Sequence, residues 1–378
     1  MRRLSLASLL VLSVPIAAPL GAQERVKPAS AKGGQGFGEP WAKVPEAYRK
    51  IKIPEWPVPT DRVKWQLERV QARATLLKCL GDLPPRPDPR QVAVVGKEDK
   101  GDYIYEQIEF SNGVDETVTG VLLVPKGIKQ PVPAIILAHG HSGSTDVLCV
   151  NEKSGQCAGP TLARKGYVVA AIDSYFCGKR VGKGPAGERE TQPPSEEHSL
   201  FKYHLLMGRC LWGMMIRDQQ CLIDYLESRP EVNAKQIGMS GMSMGCTTSW
   251  WTAALDERIA STVGVACFTR YTELLAHGNL RAHGMYYFVP GVFAHFDTEA
   301  IHALIAPRPH LELSGDEDQG APVDGVMMLE KKLIPLYRLY GKESNFKSII
   351  YEKTGHEYLP EMRAEMVRWF EKTLPVGR

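Results

Sequence analysis

The sequence predicts an α/β fold in which a mostly parallel central sheet is covered on both faces by helices. Short apolar runs typical of buried strands alternate with longer segments whose apolar residues recur at helical spacing. In such an alternation each helix connects two strands that run in the same direction. The chain has 378 residues, 43% hydrophobic and 24% charged, which is the composition of a globular protein with a large core.

The alternation begins after a predicted antiparallel hairpin. Strands are expected at 103–110 and 117–124, joined through Asn112-Gly113, a dipeptide that favours a tight turn. The pattern then predicts strands at 133–138, 167–172, 236–240, 260–266, 310–313 and 348–351. It predicts helices at 160–165, 205–226, 244–255, 324–340 and 361–374.

The first 95 residues precede this alternation and divide into two parts. Residues 1–22 are predicted to be a signal peptide, because Arg2 and Arg3 are followed by a mainly apolar stretch that ends at small residues. Residues 23–95 are expected to form an extension with one helix at 61–80 and an N-cap at Thr60. This helix has an apolar side made of Val63, Leu67, Val70 and Leu77.

Net charge and hydropathy bear on whether the protein binds nucleic acid, inserts into a membrane or is exported. Without Arg2 and Arg3 the formal charge falls from +3 to +1, which argues against nucleic acid as a partner. No later stretch is apolar enough to span a bilayer, so stable membrane insertion after signal removal is not expected. The predicted location is secreted or periplasmic.

Eight cysteines are present, and no two of them form a C-x-x-C pair. A zinc ribbon or a thioredoxin-like site is therefore not expected. Export permits disulfides, and Cys149 with Cys157 is the best local pair. The alternative is that most cysteines are small buried hydrophobes.

Two segments, 174–204 and 268–300, do not fit the alternation. Each follows a predicted strand, so both should lie over the carboxyl edge of the sheet, where ligand sites of α/β proteins form. Tyr175, Tyr286 and Tyr287 are candidate substrate-binding residues, because aromatic faces at a cleft rim suit sugar rings or aromatic acyl groups. The alternative is that they pack the inserts onto the body of the protein.

The stretch Gly241-Met242-Ser243-Met244-Gly245 lies between a predicted strand and a predicted helix. A serine between two glycines at such a junction has the pattern of a nucleophile elbow, in which bulky side chains would collide with the backbone. A serine hydroxyl is a weak nucleophile and needs a base, which in turn needs an orienting acid.

A base and an acid follow in the required order. His356 comes just past the 348–351 strand, and Gly315-Asp316-Glu317-Asp318 comes just past the 310–313 strand. Both loops are therefore delivered to the same edge as Ser243. Asp318 is favoured over Asp316 as the acid, because its spacing from Gly315 lets the loop bend first; both remain candidates.

The oxyanion of an acyl-transfer intermediate needs two preorganised donors. The predicted donors are the backbone N–H groups of Met244 and of His141, which lies in the segment His139-Gly140-His141-Ser142-Gly143. His139 and His141 are alternatively loop-shaping residues or a metal pair. The metal alternative is disfavoured because no carboxylate stands at a ligand-like spacing, and neither a metal nor a cofactor is expected.

These motifs together resemble the α/β-hydrolase superfamily, in particular its dienelactone hydrolase and acetyl xylan esterase-like group. The matching features are His139-Gly140, Asp173, the 207–231 region, Gly241-x-Ser243-x-Gly245, Ala306-Pro307-Arg308-Pro309, Gly315-x-x-Asp318 and Gly355-His356. The resemblance covers about residues 100–375. It implies an α/β-hydrolase catalytic domain over 96–378 and an exported serine esterase that cleaves carboxylic esters, including acetyl or other esters of carbohydrates, through a triad and an acyl-enzyme.

The residues after the serine depart from two related groups. Acetyl xylan esterases typically carry Gln-Gly-Gly there and glucuronoyl esterases usually carry Arg, whereas this chain has Met244. Two other functions remain open: a peptidase of the prolyl-oligopeptidase type, and a catalytically silent binding protein with the same fold.

Overall fold

The structure, a computed structural model, describes residues 24–28 and 44–377, so the predicted signal peptide at 1–22 lies outside the described residues. One ten-stranded sheet runs through the described part of the chain. Its strands are β1 Glu24–Val26, β2 Ala93–Asp99, β3 Tyr103–Ser111, β4 Thr117–Pro125, β5 Val132–Ala138, β6 Val168–Ile172, β7 Val232–Met242, β8 Ile259–Val265, β9 His310–Gly315 and β10 Phe346–Tyr351.

The strand order is β1-β10-β9-β8-β7-β5-β6-β4-β3-β2. The seven strands from β1 to β6 in this order pair in parallel, and β4, β3 and β2 add an antiparallel edge. The prediction of a mostly parallel sheet with an opening hairpin is thereby confirmed. Strands β1 and β2 were not expected, and the predicted boundary at 95/96 falls inside β2.

Helices cover both faces of the sheet. They are α1 Glu46–Arg49, α2 Arg62–Leu80, α3 Thr145–Cys149, α4 Gly159–Arg164, α5 Pro193–Leu206, α6 Leu211–Ser228, α7 Met244–Leu255, α8 Tyr271–Ala276, α9 Thr298–Ala303, α10 Val323–Leu339 and α11 Pro360–Thr373. Successive residues of a strand point to opposite faces. In β5, Ile136 belongs to one core with α6, α7 and α10, and Ile135 and Leu137 belong to the other core with α4 and α11.

The prediction of a single helix over 205–226 is wrong at its N-terminal end. Two helices occupy this region, because α5 ends at Leu206 and α6 begins at Leu211. Gly208 between them has φ +76°, a left-handed conformation that glycine adopts readily, and Arg209 forms a bridge with Gly81. The 174–204 insert therefore contributes a helix of its own over the carboxyl edge.

The N-terminal helix α2 has the predicted extent but buries a different side. Its N-cap is Asp61 rather than Thr60, since the Asp61 carboxylate accepts a hydrogen bond of 2.8 Å from the backbone N–H of Lys64. The apolar residues expected on one side are exposed: Val63, Leu67, Val70 and Leu77. The residues that pack against the domain are Trp65, Leu76 and Leu80. The apolar spacing identified a stripe, and the docking of Trp65 against Trp56 decides which side faces inwards.

Cys149 and Cys157, the best local pair for a disulfide, are not bonded, and all eight cysteines are free thiols, as the alternative interpretation of the sequence allows. Cys149 ends α3 with its side chain directed towards Gly159, where an added Cβ would lie 3.0 Å from the Cys149 Sγ atom. Within 24–28 and 44–377, no helix has the length and apolar character needed to span a bilayer.

We expect Trp65→Ala to lower the free energy of unfolding by about 3–5 kcal/mol, because the truncation leaves a cavity under α2. Leu67→Ala on the same helix should change this free energy by less than about 0.5 kcal/mol, since that side chain is exposed. Urea titrations followed by circular dichroism measure both values. Equal losses in the two variants would contradict the described orientation of α2.

Candidate active site

Ser243 stands at the turn between β7 and α7 with φ +59° and ψ −120°. A non-glycine residue rarely adopts positive φ, and such strain persists only where the surroundings enforce it. A Cβ atom at Gly241 would lie 2.4 Å from the carbonyl oxygen of Ala138, and one at Gly245 would lie 2.0 Å from the same oxygen. Both positions therefore require glycine, as the elbow pattern predicts.

Three side chains from three different loops form a continuous hydrogen-bonded chain. The Ser243 Oγ lies 2.8 Å from Nε2 of His356. The other ring nitrogen of His356, Nδ1, lies 2.9 and 3.1 Å from the two carboxylate oxygens of Asp318. The His356 side chain is 42% exposed and that of Asp318 is fully buried, so the chain leads from the surface into the protein.

The two candidate acids have different partners. Asp318 receives a hydrogen bond of 2.8 Å from the backbone N–H of Gly320, which holds its carboxylate towards His356. Asp316 instead accepts from the backbone N–H of Thr354 at 3.3 Å and so joins the two loops to each other.

A residue that sequence reasoning did not select supports the acid loop. His283, from the 268–300 insert, is buried, and its Nε2 donates a hydrogen bond of 2.7 Å to the carbonyl oxygen of Gly320. Gly320 is the residue whose N–H binds Asp318. The insert is thereby connected to Asp318 through a single residue, Gly320.

The surroundings of His356 stabilise its protonated form more than bulk water would. Burial lowers the pKa of His356, but the charge of Asp318 and the hydrogen bond between them raise it more, so it ends above its ordinary value. A buried carboxylate beside the imidazole therefore stabilises the positive charge that appears when His356 takes a proton.

The segment 139–143 borders the serine. An added Cβ at Gly140 would lie 3.7 Å from the Cβ of Ser243. His139 shapes this segment, since its Nδ1 contacts the Gly140 oxygen at 2.8 Å and its Nε2 accepts from the N–H of Ser174 at 3.0 Å. Burial lowers the pKa of His139, which keeps the ring neutral for these two bonds. Met244 is the first residue of α7, so its N–H has no acceptor within the helix.

His141 is held by a carboxylate that is distant in the sequence. Its Nε2 lies 2.8 Å from Oε2 of Glu197 in α5, and its ring stacks on Tyr286 with centroids 5.5 Å apart. The other oxygen of Glu197 accepts from the N–H of Tyr286 at 3.0 Å. Only the tertiary structure identifies Glu197, because it lies 56 positions from His141 in the sequence and no local pattern links the two.

The three tyrosines expected at the cleft rim are buried, and this expectation is wrong. Tyr175 is fully buried, and its hydroxyl donates to Asp115 and accepts from Asn112. Tyr286 and Tyr287 are 2% and 0% exposed, with Tyr286 against His141 and Tyr287 stacked on His283 at 4.7 Å. These residues pack the inserts onto the body, which is the alternative that the sequence left open.

The chain is similar to known proteins in sequence and in fold. Residues 54–324 match the model of the Abhydrolase family. A Bacillus subtilis (strain 168) protein named "Putative hydrolase YtaP" is 35% identical over 316 residues, which span 81% of this chain and 100% of that protein.

Solved structures agree on the fold. A glucuronoyl esterase from Solibacter usitatus superposes with a TM-score of 0.63 at 18% identity, covering 88% of this chain and 99% of the other. A Bacteroides fragilis NCTC 9343 protein described as a putative acetyl xylan esterase superposes with a TM-score of 0.63 at 19% identity, covering 87% of each chain. At this identity the two superpositions establish the α/β-hydrolase fold. With a family match over more than half its length and a relative at 35% identity, this chain is a hydrolase that belongs to the Abhydrolase family of the α/β-hydrolase superfamily.

Proposed function

We propose that this protein is an exported serine esterase that hydrolyses carboxylic esters through an acyl-enzyme. The observation that carries the proposal is the unbroken chain of hydrogen bonds from Ser243 through His356 to Asp318. Nucleophile, base and orienting acid stand within hydrogen-bond reach of one another, which is the arrangement that serine hydrolysis requires.

The reaction uses each residue in turn. Ser243 Oγ attacks the acyl carbon while Nε2 of His356 accepts the hydroxyl proton, and Asp318 stabilises the imidazolium that forms. The backbone N–H groups of Met244 and His141 donate to the oxyanion. His356 then gives its proton to the leaving alcohol. A water molecule, deprotonated by His356, then attacks the acyl carbon of the acyl-enzyme. The bond from that carbon to Ser243 Oγ breaks, His356 returns the proton to Oγ, and the acid leaves.

Esters of carbohydrates are the proposed substrate class. Solved structures with this fold include a glucuronoyl esterase and a protein described as a putative acetyl xylan esterase, which supports this class. Met244 is apolar and fully buried, so it offers no cation to an acidic sugar next to the serine. An uncharged ester such as an acetylated sugar therefore fits this position better than a substrate that needs a charged partner there. Export depends on the segment 1–22 acting as a signal peptide.

The decisive test compares the wild type with Ser243→Ala on acetylated sugars, uronate esters and short-chain nitrophenyl esters. We expect the wild type to release acid from at least one of them and the variant to be slower by at least about 10³-fold. Ser249→Ala, a serine on the same helix as the elbow, is the matched control and should retain turnover. Equal rates in the wild type and Ser243→Ala would refute the proposal, and cleavage of amides alone would favour a peptidase.

The two acids are separated by parallel substitutions. Asp318→Asn should reduce kcat by about 10⁴-fold, because the imidazole loses both its orientation and its counter-charge. Asp316→Asn should reduce kcat by less than about tenfold, since Asp316 binds a backbone N–H and not His356. Steady-state kinetics on one activated ester measures both, and a larger loss in Asp316→Asn would reverse the assignment.

The pH profile of kcat/KM reports the base in the free enzyme. Only neutral His356 can accept the serine proton, so activity should be lost as pH falls through the pKa of His356. Because that pKa is raised above its ordinary value of 6.5, the acidic midpoint should lie above pH 6.5. In Asp318→Asn the causes that raise the pKa are removed while burial remains, so the midpoint should move to lower pH. An unchanged midpoint in this variant would show that Asp318 does not set the pKa of the base.

A further inference from the structure

Beneath α7, the helix that follows Ser243, lies a cluster of side chains able to bind a metal, which the proposed reaction does not use. His310 and Glu312 stand two residues apart on β9 and so point to the same face of the sheet. His302 comes from α9, and the ligand atoms of these three residues all lie within 4.8 Å of one another. All three residues are completely buried. We call His302, His310 and Glu312 the buried triplet.

The hydrogen bonding of the buried triplet is incomplete. Neither ring nitrogen of His302 has a hydrogen-bond partner among the described residues, and Nδ1 of His310 also lacks one. His310 Nε2 contacts Oε1 of Glu312 at 2.6 Å. Buried polar atoms in native proteins are nearly always satisfied, because leaving them bare costs their full hydration. The unpartnered nitrogens of His302 therefore mark a place where a ligand is expected.

The surroundings make room for polar groups and exclude solvent. Gly264 on β8 faces Glu312, and a Cβ atom there would lie 2.2 Å from Oε2 of Glu312 and 2.7 Å from the thiol of Cys246. That thiol lies 3.7 Å from the same carboxylate oxygen. The rings of Trp250 and Phe268 pack against His302 with centroid distances of 4.1 and 4.8 Å. The pocket for the carboxylate and the thiol exists only because residue 264 has no side chain.

We propose that the buried triplet binds one Zn²⁺ and that the Cys246 thiol, which lies 3.7 Å from Glu312 but outside the triplet, moves in as the fourth donor. Imidazole, carboxylate and thiolate are the ligands of tetrahedral zinc, and four protein ligands with no open position are typical of a structural site. Ligands of one tetrahedral zinc lie about 3.3 Å apart, whereas the ligand atoms of the triplet lie within 4.8 Å of one another, so the side chains must shift to meet. His310 would bind either through its unpartnered Nδ1 or by giving up the bond from Nε2 to Glu312. Binding deprotonates the thiol and releases its proton to solvent.

The site would connect the elements that present the proposed catalytic groups. Cys246 lies in the first turn of α7, directly after Ser243, and β9 leads into the loop of Asp318. A zinc ion would therefore join α7, α9 and β9 beneath the active site. This role is structural and is independent of whether the protein is an esterase.

Zinc content of the whole purified protein tests the proposal directly. Protein refolded with Zn²⁺ and dialysed against metal-free buffer should hold about one zinc per chain by mass spectrometry. His302→Gln and Glu312→Gln should weaken zinc binding by at least about 100-fold in competition with a chromogenic chelator. Cys246→Ser should also weaken it, and full binding in that variant would overturn the assignment of the fourth donor. His295→Gln, an exposed histidine outside the cluster, is the matched control and should bind zinc as the wild type does.

A second measurement covers variants that fail to fold. Wild-type protein prepared with a strong chelator should melt at a lower temperature, and adding Zn²⁺ alone should restore the original Tm. Zinc-free wild-type protein whose Tm responds to neither chelator nor zinc would overturn the proposal and leave a buried water as the partner of His302. Stoichiometric zinc retained in both His302→Gln and Glu312→Gln would place the metal elsewhere and overturn it equally.

Discussion

The geometry of the candidate site depends on how closely the end of β5 approaches the turn that carries Ser243. The carbonyl oxygen of Ala138 occupies the space that a side chain at Gly241 or Gly245 would need. The close contact leaves room only for glycine on either side of Ser243, which itself has positive φ, and the serine hydroxyl lies above the sheet. It also brings the segment after β5, which contains His141, beside the serine, so one contact positions both the nucleophile and a candidate oxyanion donor.

The parallel sheet does the rest of the assembly. Loops after β9 and β10 leave the sheet at the same edge as the elbow, and Asp318 and His356 meet there although 38 residues separate them. Packing between the loops is tight, since a Cβ at Gly315 would lie 2.1 Å from the carbonyl oxygen of Thr354. The imidazole of His356 is exposed and the carboxylate of Asp318 is buried. Because the carboxylate is shielded from water, its electrostatic interaction with the imidazole is not weakened by solvent.

The sequence predicted those features of the molecule that depend on local patterns of residues. Helix α7 begins and ends where its apolar spacing predicted. The order of residues at strand ends was enough to select Ser243 and His356, whereas only the structure shows that Asp318 and not Asp316 contacts the histidine. Strand β1 has three residues and exists only by pairing with β10, so no local signal reveals it. The sequence also could not predict which side of α2 is buried or that Tyr286 is buried. Both depend on contacts with segments that are distant in the sequence. Glu197 was missed for the same reason, because His141 lies 56 positions away along the chain. His302 was missed because only the packing of α9 brings it to His310 and Glu312.

The hydrogen bond from His283 to Gly320 has a consequence for how this protein can diverge. Inserts over a sheet edge are commonly regarded as exchangeable modules that alter what a fold binds while leaving its chemistry intact. Here the insert at 268–300 binds Gly320, the same residue whose N–H holds Asp318, and Tyr287 stacks on His283. A graft of this insert from a relative would have to carry the histidine with it, because the loop that holds Asp318 depends on that hydrogen bond.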